Sequence, residues 1–129
     1  MNGHALRVLV ADDNESVRTR VCQLLQSQSD IEVACEAVDG VDAVVKAREY
    51  LPDVVLLNVT MPIMNGLEAA QILKHEFPSM HIIMLSQHDS RVFQWGALAA
   101  GVNAYAVKSN AGKDLIPELR KIQRTKLSA

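Results

Sequence analysis

Few residues in this chain can be given unusual chemistry. There are only two cysteines, four prolines, six glycines and one tryptophan in 129 residues, and aromatic residues make up 4% of the total. Cys22 and Cys35 lie in a helix-patterned and a strand-patterned segment, without metal-ligand spacing, so buried free thiols are expected. A reducing cytoplasm suits such thiols. No apolar run approaches the ~18 residues that a membrane span needs. Met1-Asn2-Gly3-His4 leads straight into an apolar run, with no signal-peptide pattern. The formal charge is −2, too small and of the wrong sign for a dedicated nucleic-acid surface. Arg120, Lys121, Arg124 and Lys126 make the tail locally basic, as a solvated helix end complementing its dipole would be. No G-x-G-x-x-G follows the first apolar run, and there is no Asp-x-Asp of the phosphatase kind. An enzyme built on a nucleotide-binding α/β scaffold is therefore poorly supported. His4, His75, His81 and His88 are too scattered for a metal site or a phospho-histidine relay.

Composition is otherwise ordinary for one globular domain spanning 1–129, with 49% apolar and 22% charged residues. Apolar strands alternate with helical patterns. Strands are expected near 6–11, 32–37, 53–58, 81–86 and 103–107, and helices near 15–28, 40–50, 65–76, 90–100 and 113–126. Val54-Val55-Leu56-Leu57 is apolar without alternation, as a central strand covered on both faces should be. Val17, Val21, Leu24 and Leu25 share one face of the first helix. Asn65 with Glu68 reads as a capping box, and Pro78 lies beyond that helix. Ser90 is a candidate cap for the fourth helix and Gly101 its stop. Pro117 falls where the fifth helix should already be running. A late start, with Asp114 as cap and Pro117 in the first turn, avoids a lost hydrogen bond and a clash. Such β/α alternation implies a parallel sheet with helices on both faces, whose ligands bind at the carboxyl ends of the strands.

Those strand ends carry the chemistry. Asp12-Asp13 follows the first strand, Asn58 ends the third, Ser86 the fourth and Lys108 the fifth, with Tyr105 three residues earlier. Each has an ordinary reading: a capping turn for the acidic pair, a loop hydrogen bond for Ser86, a solvated lysine, a strand-edge tyrosine. In this order, with Pro52-Asp53-Val54-Val55-Leu56-Leu57-Asn58 and Met61-Pro62-Ile63-Met64-Asn65-Gly66, the chain resembles a response-regulator receiver domain of bacterial two-component systems. Met84-Leu85-Ser86-Gln87-His88-Asp89 and Lys108-Ser109 are similar to the NarL/FixJ type.

The resemblance implies a flavodoxin-like (CheY-like) fold with strand order 2-1-3-4-5 and five helices. It implies a signalling domain rather than an enzyme, with a sensor histidine kinase as partner. A helix-turn-helix output domain would lie outside this chain. Helix four, strand five and helix five would form the partner face and could support a weak homodimer. Trp95 is expected to pack in the core, or else to lie on that face. In the family an aspartate at the Asn58 position takes a phosphoryl group. Ser86 and Lys108 would bind the phosphoryl oxygens, and Tyr105 would be the switch aromatic. Mg2+ would be held by Asp13, Asn58 and the Thr60 carbonyl, with Asp12 acting through water. Carboxylates packed at ~5 Å repel by about 3 kcal/mol per pair at an effective dielectric of about 20, which a cation offsets. Asn58 offers a neutral carbonyl at best, so weak magnesium binding and no phosphorylation are expected. Retention of the other four site side chains points to a recent or engineered loss. The alternative is a phosphorylation-independent interaction module.

Overall fold

The computed structural model describes residues 5–87, 91–99 and 101–128, with side chains described except at 91–94 and 126–128. Five parallel strands form one sheet: β1 (Leu6–Ala11), β2 (Ile31–Ala37), β3 (Val54–Asn58), β4 (His81–Ser86) and β5 (Ala104–Val107). Their order is β2-β1-β3-β4-β5, as the resemblance implied. Between and after them run α1 (Glu15–Gln26), α2 (Gly40–Tyr50), α3 (Gly66–Glu76), α4 (Arg91–Ala99) and α5 (Ala111–Ser128).

Strand alternation sorts the core into two layers. Val8, Val10, Leu56, Ile83 and Leu85 face α1 and α5, packing on Val21, Leu25, Leu115 and Leu119. Leu9, Val55, Leu57, Ile82 and Met84 face the other way, toward Ala43 and Ala47 of α2 and Ala69 and Leu73 of α3. The small alanines let those helices approach the sheet closely. β3 is buried along its whole length, and its unbroken apolar run follows from helices on both faces. The chain reverses strand order beside β1 and β3, so their carboxyl ends open onto a shared cleft.

Local signals set most boundaries. Asn65 and Glu68 form a reciprocal capping box at α3, satisfying two otherwise unpaired backbone donors. Gly101, at φ +92°, follows α4 and donates its N–H to Leu98 at 3.0 Å, so the predicted stop is present. The Ser90 cap lies outside the described residues.

α5 corrects the sequence reading. A 3-10 turn over Lys108–Asn110 leads into the helix at Ala111, and Pro117 lies inside it. Asp114 is not the cap. Its Oδ2 accepts the Val107 backbone N–H at 3.2 Å, tying the helix to the end of β5. The tolerated proline gives up one helical hydrogen bond, while Leu115, Leu119 and Ile122 bury the apolar face. Trp95 has two readings in the sequence, and the structure decides against packing in the core. It is 78% exposed, while Ala97 on the same helix is fully buried. Positions two apart on a helix face nearly opposite ways, and the smaller side chain takes the sheet side.

Candidate functional site

Asp12 is the most firmly held member of the cleft. It follows β1 and is 1% exposed. Its Oδ1 accepts the Asn14 N–H at 2.9 Å, and Asn14 in turn caps α1 by accepting the Val17 N–H. Arg18 donates to the Asp12 backbone carbonyl at 2.8 Å and to Glu36 at 2.9 Å. The Asp12 peptide is thereby clamped between α1 and β2. Lys108 Nζ lies 2.7 Å from Asp12 Oδ2, and both side chains are largely buried. A buried carboxylate needs such a partner, because desolvation without one is far more costly than the pair. Asp13, next in sequence, is exposed.

Asn58 closes β3 at the centre of the cleft and is 8% exposed. Its Nδ2 donates to the Thr60 carbonyl at 2.7 Å and to Asp13 Oδ1 at 3.1 Å, with a longer contact to Asp12 Oδ1 at 3.4 Å. The loop that presents Thr60 is wedged between two glycines. A Cβ on Gly66 would stand 2.1 Å from the Asn58 carbonyl, and one on Gly40 would stand 2.1 Å from the Met64 carbonyl. Only a residue without a side chain permits either approach.

Ser86 closes β4, buried, one strand away and paired in register with Val107. Asp12, Asp13, Asn14, Asn58, Thr60, Ser86, Gln87 and Lys108 line a cleft of about 230 Å³. The fold has therefore gathered every proposed metal- or phosphoryl-contacting position into one place. Tyr105 does not line it. It is half-buried and borders a separate hollow with Asn110, Lys113, Asp114 and Pro117, on the β5–α5 side. Sequence reasoning missed Asn14 as a lining residue, although an asparagine before a helical pattern is a recognisable cap signal. The Arg18–Glu36 brace joins distant segments and had no local signal.

The cation expected from the resemblance meets an obstacle here. Among the described residues no group of three or more His, Cys, Asp or Glu side chains is placed to hold a metal ion. Two carboxylates and one backbone carbonyl do converge, but on an amide nitrogen. The sequence reading left the amide carbonyl as the atom offered to a cation; the structure turns N–H donors toward the remaining ligands. As folded, the donor set does not fit Mg2+. It also lacks a carboxylate at Asn58 that could attack phosphorus.

Comparison with known proteins gives a consistent picture. The family model "Response regulator receiver domain" matches residues 8–120. The response regulator protein VraR of Staphylococcus aureus is 38% identical over 121 residues, covering 92% of this chain and 57% of that protein. The chain thus spans little more than half the length of the curated relatives it matches. The signal receiver domain of the putative response regulator NarL from Mycobacterium tuberculosis superposes with a TM-score of 0.86 at 27% identity, covering 92% of this chain and 95% of that one. A DNA-binding response regulator of the LuxR family from Staphylococcus aureus superposes at 0.83 with 26% identity, covering 91% and 98%. No helix among the described residues is long and apolar enough to cross a membrane.

Proposed function

This chain belongs to the response-regulator receiver family, and from that premise we propose that it is a receiver that cannot be phosphorylated, because Asn58 stands where the acceptor carboxylate would be. The observation that carries the reading is the position of Asn58: buried at the end of β3, bonded to the acidic pair, in one cleft with Ser86 and Lys108. Phosphoryl transfer to a receiver needs an anionic oxygen as nucleophile, and an amide has none. In this reading Lys108 and Ser86 keep the positions of phosphoryl-binding groups without a phosphoryl group to bind. Tyr105 keeps that of the switch aromatic beside α5. Without the covalent ligand nothing shifts the conformational equilibrium, and the domain rests in its unmodified state.

The partners follow from the family: a sensor histidine kinase, and a DNA-binding helix-turn-helix output domain in a longer cytoplasmic protein that regulates transcription. This domain itself would not touch DNA. One observation favours a second reading, an interaction module that works without phosphorylation. Trp95 and Leu98 on α4 are 78% and 55% exposed, an apolar pair on the face that α4, β5 and α5 would offer a partner or a second copy.

Intact-mass spectrometry after acetyl phosphate and magnesium tests the main reading. The chain is expected to gain no phosphoryl group and Asn58→Asp to gain one. An adduct on the unsubstituted chain that maps to Asn58 sinks the proposal.

A further inference from the structure

We propose that the Asn58 amide is a built-in substitute for the divalent cation, and that it closes this cleft to magnesium. The inference deepens the reading above and rests on it for the expectation of a cation at all. Its basis is the convergence of oxygens. Asp12 and Asp13 come from the end of β1 and Thr60 from the loop after β3, yet all three aim at one point. That point is occupied by Asn58 Nδ2.

The orientation of the amide follows from its neighbours. All three contacts are acceptors: two carboxylate oxygens and a carbonyl. The opposite orientation would face the amide oxygen toward all of them and leave its two N–H donors without these partners. Two hydrogens serve the two short contacts, to Thr60 and Asp13. Lys108 neutralises Asp12. The cleft thus holds two carboxylates against one ammonium, and the amide's positive edge is turned to the residual charge.

Size decides against sharing the space. Magnesium binds oxygens at about 2.0–2.1 Å in near-octahedral geometry and loses its waters reluctantly. An ion at such distances from the Thr60 carbonyl and Asp13, placed where these oxygens converge, would overlap the nitrogen that stands there, 2.7 Å and 3.1 Å from them. Binding at that point would require the amide to rotate away and break both bonds. The weakness of the site therefore comes from a group that blocks it, and not only from a missing negative ligand.

These two causes predict different behaviour for Asn58→Ala, which removes the block without restoring a ligand. The test is a magnesium chloride titration across the millimolar range, followed by backbone and side-chain amide NMR, with sodium chloride of matched ionic strength as control. Asn58→Asp serves as the positive control. For the unsubstituted chain, no saturable shift is expected at Asp13 or Thr60. The Asn58 side-chain N–H signals should be slow to exchange and insensitive to magnesium. Asn58→Ala should acquire a saturable magnesium response at Asp13 and Thr60. Saturable binding by the unsubstituted chain overturns the inference, as does a folded Asn58→Ala with no response. If Asn58→Ala does not fold, the side-chain signals decide: fast exchange or a magnesium-dependent shift of the Asn58 amide defeats the proposal. Phosphorylation of the unsubstituted chain would defeat the functional reading instead, whereas magnesium binding without labelling would defeat this inference alone.

Discussion

Asn58→Asp should destabilise the metal-free domain, by an amount the cleft geometry bounds. The substitution exchanges an N–H donor for a carboxylate oxygen at a point 2.7 Å from the Thr60 carbonyl and 3.1 Å from Asp13 Oδ1. Both contacts change from attractive to repulsive. Carboxylates with charge centres about 4–5 Å apart repel by about 3–4 kcal/mol per pair at an effective dielectric of about 20. Lys108 already compensates Asp12, and exposed Asp13 is partly screened by water. The new side chain can also take up a proton. For an ordinary aspartate at neutral pH that costs about 4 kcal/mol, which sets a ceiling. A net loss of about 2 kcal/mol is expected. Urea unfolding at pH 7 in chelator should show it as a midpoint lowered by about 1 M. Like charges raise the folded-state pKa of the new carboxyl above its unfolded value. The charge penalty is therefore absent below about pH 3.9, grows as pH rises toward the folded value and is complete above it. Excess magnesium should reverse the order, because only the tri-acidic folded cleft gains by binding it. Two results would refute the reasoning: greater stability of Asn58→Asp in chelator, or equal stabilisation of both proteins by magnesium.

Other substitutions probe the frame around that residue. Lys108→Met leaves buried Asp12 without its counter-charge and should cost about 3 kcal/mol in urea unfolding. Adding Asp12→Asn should recover most of the loss, and failure to do so would mean that the pair is not coupled. Gly66→Ala drives a Cβ into the Asn58 backbone carbonyl and should cost about 3 kcal/mol. Gly112→Ala in α5 meets nothing within 4 Å and should be neutral or stabilising by about 0.5 kcal/mol. Equal thermal shifts for the two glycine variants would contradict the packing described at β3.

The architecture is legible in the amino-acid sequence because it rests on short-range patterns. Unbroken apolar runs such as Val54-Val55-Leu56-Leu57, spaced by helical periodicity, leave a parallel sheet covered on both faces as the way to bury them. Once the strands are parallel, their carboxyl ends share one edge of the sheet, and the strand order implied by the resemblance puts Asp12, Asp13, Asn58, Ser86 and Lys108 at one cleft. The Asn65–Glu68 cap and the Gly101 stop were equally local. What tertiary structure decided depends on groups distant in sequence. Which way the Asn58 amide faces is set by the carboxylates of Asp12 and Asp13, 46 and 45 residues away, together with the Thr60 carbonyl two residues on. Pro117 sits inside α5, and Asp114 bonds the end of β5 instead of capping the helix, because the burial of Leu115, Leu119 and Ile122 outweighs one local hydrogen bond. Trp95 points to solvent because Ala97 fits against the core. The Arg18 clamp on Asp12 needs Glu36 from another strand. Periodicity and caps carry the local free energies that shape each element, whereas the direction in which a polar group turns depends on partners that only the folded chain brings within hydrogen-bond distance.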